Sequence, residues 1–196
     1  LMLGTGTRVV ATEKLHAQGN IITTENALDL AISGDGYFSV QQADGTIAYS
    51  RDGSFKLSAD GNMVTAGGQT LLPAITVPQN AASLTIGRDG IVTVELANGG
   101  GASQIGQLQL SRFVNNSGLQ PIGRNLLQQT NASGDPLVVL PGADGAGMLM
   151  QGALEASNVN VVEEMVNMIE TQRAYEVNSK AIAAVDGMLR FLNNNL

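Results

Sequence analysis

Few side chains in this sequence could perform chemistry, and their spacing does not favour it. His16 is the only histidine, so any Ser-His-Asp triad would depend on that one residue, and a metal site built from several histidines is excluded. The chain has no cysteine, which excludes thiolate ligands and thiol nucleophiles. Glu163 and Glu164 are adjacent on a predicted helix, so they point about 100° apart and cannot act as a facing acid–base pair. The sequence therefore predicts no enzyme and no catalytic residue.

Acidic residues precede glycine at several places, and such pairs occur in some calcium-binding loops. Those loops need oxygen ligands at alternating positions, as in the pattern Asp-x-Asp-Gly. No Asp-x-Asp is present in the chain. The glycine motifs that bind nucleotide phosphates are missing as well. The sequence predicts no metal site and no cofactor.

The glycine pairs are instead typical of β-hairpin turns, because glycine adopts a positive φ without a Cβ clash. Leu28, Leu30 and Ile32 alternate with Asp29 and Ala31, as expected for a strand with one buried face. No helical period persists before residue 150. We therefore predict a mainly β body that is meander-rich and built from antiparallel hairpins. Its turns are predicted at Asp44-Gly45, Asp52-Gly53, Asp60-Gly61, Gly67-Gly68 and Asp89-Gly90.

The composition changes at Asn158, and no glycine or proline occurs between Val159 and Asp186. Asn160 and Glu163 have the spacing of a capping box, in which the asparagine accepts from early helical amides. We predict one long C-terminal α-helix of about thirty residues, roughly 45 Å in length.

Apolar residues recur every seven positions along this helix, as at position a of a coiled-coil heptad. Position d should be apolar as well, but three of the d positions are polar: Glu164, Thr171 and Asn178. The coiled-coil seam is therefore complete only in the second half. The alternative is a helix packed on its own β body. The length favours outside partners, because a long helix overhangs a small domain and leaves apolar surface exposed. The predicted assembly interface comprises Val161, Met165, Met168, Tyr175, Ile182, Val185, Leu189 and Leu192.

The overall charge limits the possible partners. The formal net charge is −7 and no run of basic residues occurs, so nucleic acid and anionic membranes would repel the chain. No apolar run reaches the roughly 20 residues of a membrane span, and we expect no membrane insertion. The first residues lack the basic and apolar regions of a signal peptide. They also do not resemble a natural start, so we expect an N-terminal truncation.

Four segments are predicted: an extended β stem over 1–27, a β-rich body over 28–147, a return strand of the stem over 148–157, and the helix over 158–196. We expect Gly4–Ala11 to pair with Met148–Glu155 as an antiparallel stem that leads into the helix.

Two long stretches resemble the bacterial flagellar rod–hook axial family. The first is DLAISGDGYFSV at residues 29–40, which continues with YSRDGSF at 49–55 and DGNMVT at 60–65. The second is EASNVNVVEEMVNMIETQRAYEVNSK at residues 155–180. The resemblance covers essentially the whole chain and is strongest to the distal-rod members.

The resemblance implies a structural subunit of the distal rod, the drive shaft of the flagellum, which polymerises into a tubular structure that transmits torque. It implies export by the flagellar type III apparatus and assembly in the periplasm-spanning rod of the basal body. The implied partners are further copies of the chain, neighbouring rod and hook proteins, and the P- and L-ring proteins. It also implies an N-terminal helix, absent here, that would pair with the C-terminal helix.

Two alternatives stay open. The chain could be a proximal rod or hook subunit of the same family. It could also be a secreted β-domain binding module, although such a module would need a surface aromatic platform, and the chain has no tryptophan and three tyrosines.

Overall fold

The computed structural model describes residues 8–10, 14–97 and 101–194, and the side chains only as far as residue 191. The strands belong to one compact unit, Leu1–Ser157, and the α-helix belongs to a second, Asn158–Leu196. The described elements are β1 (Ile21–Thr23), β2 (Leu30–Ser33), β3 (Phe38–Gln41), β4 (Ile47–Ser50), β5 (Phe55–Leu57), β6 (Met63–Thr65), β7 (Thr70–Leu72), β8 (Ala81–Ile86), β9 (Ile91–Leu96), β10 (Ala102–Gln107), β11 (Leu110–Arg112), a 3₁₀ turn (Asn116–Gly118), β12 (Gln120–Gly123), β13 (Leu126–Gln128), β14 (Leu137–Val139), β15 (Met148–Gln151), β16 (Ala153–Glu155) and α1 (Val161–Asn194).

The largest sheet of the β body has seven strands in the order β12-β13-β4-β3-β7-β6-β5. A second sheet has the order β10-β9-β8, and three two-stranded ladders join β11 to β14, β15 to β2 and β1 to β16. Every pairing between these strands is antiparallel. The predicted fold class, a mainly antiparallel β body with one long C-terminal helix, is confirmed.

Most of the predicted turns form for the expected reason. Gly45, Gly61, Gly68 and Gly90 have φ values of 84°, 80°, 83° and 82°, in the left-handed region where glycine has no Cβ penalty. The hairpin predicted at Asp52-Gly53 is wrong, because β4 pairs with β3 and β13, and β5 pairs with β6.

Gly53 is needed for another reason than a turn. A Cβ at this position would lie 1.6 Å from the carbonyl oxygen of Leu30. The Leu30 amide donates to the Gly53 carbonyl at 3.0 Å. The two backbones therefore approach so closely that only glycine fits.

The prediction that β2 buries one face is also wrong. Leu30, Ala31 and Ile32 are all fully buried, and Asp29 is only 7% exposed. The Asp29 carboxylate accepts hydrogen bonds from Thr24 Oγ1 at 2.6 Å and from the side-chain amide of Asn26 at 3.0 Å. These bonds replace the water that a buried carboxylate loses. Both faces of β2 thus contribute to the core of the body.

Residues 148–155 form two short strands of the β unit, and Leu149 lies in its core. β15 lies opposite β2, with Leu149 facing Ile32 in the register. β16 lies opposite β1, with Glu155 facing Ile21. The partner that the sequence predicted, Gly4–Ala11, lies mostly outside the described residues, so that pairing stays a prediction.

Helix α1 is 34 residues long and begins as its sequence predicts. The Val162 amide donates to Asn160 Oδ1 at 3.2 Å, so Asn160 caps the first turn. Glu163 and Glu164 lie in that turn, where the positive end of the helix dipole favours carboxylates.

Candidate assembly surface

The long helix carries the largest set of exposed apolar side chains among the described residues. Every side chain from Val161 to Phe191 is exposed. Tyr175 is 76% exposed and Ile182 is 71% exposed. Monomeric soluble proteins rarely leave so many large apolar groups in water unless the surface binds a partner.

The residues predicted to form the assembly interface lie along this helix. Seven of them are exposed by at least half of their surface, and the side chain of Leu192 lies outside the described residues. The exposed seven are Val161, Met165, Met168, Tyr175, Ile182, Val185 and Leu189. Their use as an interface stays a prediction.

Arg51, which no sequence motif indicated, links the segments by which the chain enters and leaves the β body. Arg51 Nε donates to Glu155 Oε2 at 2.8 Å. The same guanidinium donates to the carbonyl oxygens of Gly34 at 3.0 Å and Gly36 at 3.2 Å. The other carboxylate oxygen of Glu155 accepts from the Gly19 amide at 2.9 Å. We call these five residues the Arg51 node.

The node is partly shielded from water, with side-chain exposures of 22% for Arg51 and 11% for Glu155. Charge-assisted hydrogen bonds are stronger than neutral ones and gain further in such a partly desolvated site. The node therefore fixes the exit strand β16, the incoming segment at Gly19 and the loop after β2 to one another. Arg51, Glu155, Gly34 and Gly36 all lie inside the family-like stretches, but nothing in the sequence indicates that they contact one another.

Residues just before the node reinforce this attachment. Gln18 donates to the Ile32 carbonyl at 3.1 Å and accepts from the Gly34 amide at 3.1 Å. His16 Nδ1 lies 3.2 Å from the Tyr37 hydroxyl. Burial raises the pKa of Tyr37, while the nearby Arg51 charge acts in the opposite direction. The single histidine thus contacts a buried phenol and helps to attach the incoming segment to the body.

Within the ranges that the structure describes, no group of three or more His, Cys, Asp or Glu side chains could hold a metal ion. Over the same ranges, no helix is long and apolar enough to cross a membrane.

An antiparallel β body joined to a long helix with exposed apolar side chains defines a class of protein: a structural subunit that completes its packing in an assembly. Comparison with known proteins agrees with this class. Residues 31–94 match the family model described as flagellar hook protein FlgE/F/G D1 domain. Residues 150–195 match the model described as flagellar basal body rod FlgEFG protein C-terminal.

Several similar proteins are named as flagellar basal-body rod proteins. The flagellar basal-body rod protein FlgG of Buchnera aphidicola subsp. Schizaphis graminum is 53% identical over 98% of this chain and 74% of its own length. FlgG of Buchnera aphidicola subsp. Acyrthosiphon pisum is 51% identical over the same shares. The flagellar basal-body rod protein FlgF of Caulobacter vibrioides is 37% identical over 81% of this chain and 61% of its own length.

The chain belongs to the flagellar basal-body rod family. The family that the sequence predicted is confirmed, and the higher identity to FlgG over more of the chain supports the predicted distal-rod subtype. The family consists of structural proteins and not of enzymes, so the chain is a structural component of the basal-body rod that assembles with other flagellar components.

Proposed function

We propose that this chain is a subunit of the distal flagellar rod, where it polymerises with copies of itself into a tubular structure that transmits torque. The observation that carries the proposal is α1, whose apolar side chains are exposed from Val161 to Phe191 in a chain of the rod family. The helices of neighbouring copies cover these side chains in the assembly. The predicted interface residues are the ones that lose most solvent exposure there.

The β body has a separate role in this proposal. Its core is complete within the chain, and the Arg51 node ties the incoming and outgoing segments to it. A body that resists deformation at the point where the chain continues to the helix can pass a twisting force without unfolding. The body surfaces then contact the other proposed partners: neighbouring rod and hook proteins, and the surrounding P- and L-ring proteins. Delivery to the rod proceeds through the flagellar type III export apparatus.

The test places the same charge at two adjacent positions of α1. Ile182→Asp removes an interface side chain that is 71% exposed in the chain alone. Ala183→Asp introduces the same residue one position later, on the side of the helix away from the predicted seam. Because alanine is the best helix former, Ala183→Asp carries the larger cost in helix propensity, so a general loss of helix would harm this control more than Ile182→Asp.

Motility and the presence of rods in electron micrographs are measured for both variants, and circular dichroism of the purified proteins checks the β body. We expect Ile182→Asp to abolish rod assembly and Ala183→Asp to leave it largely intact, with both bodies folded. Normal rods from Ile182→Asp would reject the interface. Equal failure of both variants would reject its assignment to one side of the helix.

A further inference from the structure

The side chain of Gln151, the last residue of β15, makes three hydrogen bonds to two distant segments of the β body. Its Oε1 accepts from the Ile86 amide at 3.0 Å. Its Nε2 donates to the carbonyl oxygens of Leu84 at 2.9 Å and Ala27 at 2.9 Å. The oxygen and both N–H groups of the side-chain amide are therefore used. One residue thus links β15 to β8 and to the entry turn (residues 24–29), which precedes β2. We call these three bonds the Gln151 bridge.

Two of the bonds have the pattern of a neighbouring strand. Leu84 and Ile86 lie two residues apart in β8, so their backbone groups point to the same edge of that strand. The Gly87 amide, one residue further on, donates to the Ile91 carbonyl at 2.8 Å, so the alternate positions face β9 and Leu84 and Ile86 face away from it. The Gln151 amide therefore stands where the peptide group of a further strand would stand.

The bridge connects two sheets of the body. β15 pairs with β2 through its own backbone, with Gln151 opposite Leu30. Two residues before Gln151, the Leu149 amide donates to the Arg88 carbonyl at 3.1 Å, just after β8. The sheet β10-β9-β8 is thus hydrogen-bonded to the β15–β2 ladder by one backbone bond and by the Gln151 side chain.

Packing leaves this joint partly open. A cleft of about 330 Å³ lies beside the bridge, and Glu25, Leu84 and Gln151 are among the residues that line it. Ile86 belongs to the core of the body, whereas Leu84 is only partly buried against that core. Because apolar side chains do not fill the space between the entry turn and β8, the Gln151 side chain carries the connection across it.

The Arg51 node makes the corresponding connection for the seven-stranded sheet. Arg51 directly follows β4 of that sheet and binds Glu155 in β16. Gln151 is separated from β16 by Gly152 alone. Each of the two larger sheets is therefore attached by a polar side chain to the strands that lead out of the body.

We propose that Gln151 is a positioning residue for force transmission: it holds the three-stranded sheet to the entry turn and to the strands that lead towards α1. A twisting force on this sheet then reaches the segment before the helix. Hydrogen bonds fix direction as well as distance, whereas apolar contacts are non-directional, so the bridge resists rotation of the sheet against its neighbours. The inference rests on the proposed function, because it assigns a path for the force within one subunit.

Hydrogen exchange of single amides, followed by NMR on the purified chain, tests the bridge. Gln151→Met keeps the length of the side chain and removes all three bonds. Ile86 is only 5% exposed, so its amide is left without an acceptor in a buried place. We expect exchange of this amide to accelerate roughly ten-fold or more through easier local opening, while amides of β3 keep their rates.

The matched control is Gln107→Met in β10, a strand of the same three-stranded sheet. Gln107 Nε2 donates one exposed hydrogen bond, to the Asp89 carbonyl at 3.1 Å. The control makes the same chemical change outside the bridge and is expected to leave exchange of the Ile86 amide unchanged.

Force transmission is measured in cells, as the number of rods in electron micrographs and the swimming speed in media of rising viscosity. We expect Gln151→Met to form as many rods as the unmodified chain but to lose speed more steeply as viscosity rises. Gln107→Met is expected to follow the unmodified chain. If Gln151→Met forms no rods, Gln151→Glu takes its place, because it retains an acceptor for the Ile86 amide and loses the two N–H donors.

Unchanged exchange of the Ile86 amide in Gln151→Met would overturn the bridge. Equal acceleration of the β3 amides would show a general loss of stability and would overturn it as well. An ordinary dependence of speed on viscosity, or loss of rods in both Gln151 variants, would overturn the role in force transmission. If the unmodified chain itself formed no rods, the proposed function would be the part that fails.

Discussion

The β body buries apolar side chains that the long helix leaves exposed to solvent. Leu30 and Phe38 in the body are fully buried, whereas Ile169 and Met168 in the helix are 49% and 61% exposed. Burial of such side chains supplies most of the favourable free energy of folding. The body therefore obtains its stability within one chain. Without a partner, the helix is stabilised only by its own hydrogen bonds and capping groups. These give an isolated helix little net stability.

Truncation of an apolar side chain is expected to give the largest difference between the two regions in the free energy of unfolding. Phe38→Ala removes a fully buried ring whose centroid lies 5.1 Å from that of Phe55 in an edge-to-face contact. We expect it to lower the free energy of unfolding of the body by about 3–5 kcal/mol. Ile169→Ala in α1 is expected to change that free energy by less than about 0.5 kcal/mol.

Urea denaturation of the purified chain, followed by tyrosine fluorescence, measures both variants. Similar losses of stability for Phe38→Ala and Ile169→Ala would mean that the helix packs as part of the same cooperative unit, and the contrast between the regions would be lost.

An intermediate difference in stability is expected between substitutions of Arg51 and Arg190, each of which forms a short ion pair. Arg51→Met leaves the Glu155 carboxylate and the Gly34 carbonyl without their donor in a partly buried site, and we expect a loss of about 1–3 kcal/mol. Arg190 pairs with Asp186 at 2.9 Å, but both side chains are largely exposed. Arg190→Met is therefore expected to cost no more than about 0.5 kcal/mol.

The same urea titrations compare these variants, and they can be repeated at high salt to separate the exposed pair from the shielded one. If Arg51→Met proved as mild as Arg190→Met, the Arg51 node would not hold the body at its entry and exit segments.

The smallest expected difference is in how the stability of the protein changes at alkaline pH. Burial raises the pKa of Tyr37 and Tyr49 in the body above the ordinary value. The neutral phenols are therefore favoured in the folded state, and the unfolded chain loses these protons first. Stability is fully present below the unfolded pKa of about 10 and is lost as the pH rises through the raised folded values.

The comparison with α1 uses two conservative variants. Tyr49→Phe is expected to reduce the loss of stability of the body between about pH 8 and pH 11, because this phenol no longer ionises on unfolding. Tyr175→Phe changes a side chain of the helix that is 76% exposed and is expected to leave the urea midpoint of the body unchanged at neutral pH. The urea midpoint is measured across this range, and an unchanged pH profile in Tyr49→Phe would contradict the role of its burial.

The contrast between the regions also explains how much of the structure could be predicted from the sequence. The start of α1 follows from local signals, the Asn160 cap and the change in composition, and hairpin turns such as Asp44-Gly45 follow from glycine chemistry. Local signals do not report pairing between distant segments. β13 therefore enters the large sheet beside β4, with Leu127 opposite Tyr49, without any trace in either segment alone.

The candidate site shows the same limit. The exposed apolar residues of α1 could be selected from their seven-residue recurrence in the sequence alone. Arg51 was not selected, because its partners Glu155 and Gly19 are brought together only by the fold. Gly53 suggested a turn, whereas a close approach to the Leu30 backbone determines its identity.

Amide hydrogen exchange, read by mass spectrometry on peptides from the chain alone and from assembled rods, tests the central claim most directly. The account predicts that amides of the central strands, such as β3 and β4, exchange slowly in both samples. Amides of Val161–Asn194 are predicted to exchange rapidly in the chain alone and to become strongly protected in rods. Slow exchange of the helix in the chain alone, or no gain of protection on assembly, would contradict the claim that its apolar side chains are covered by neighbouring subunits.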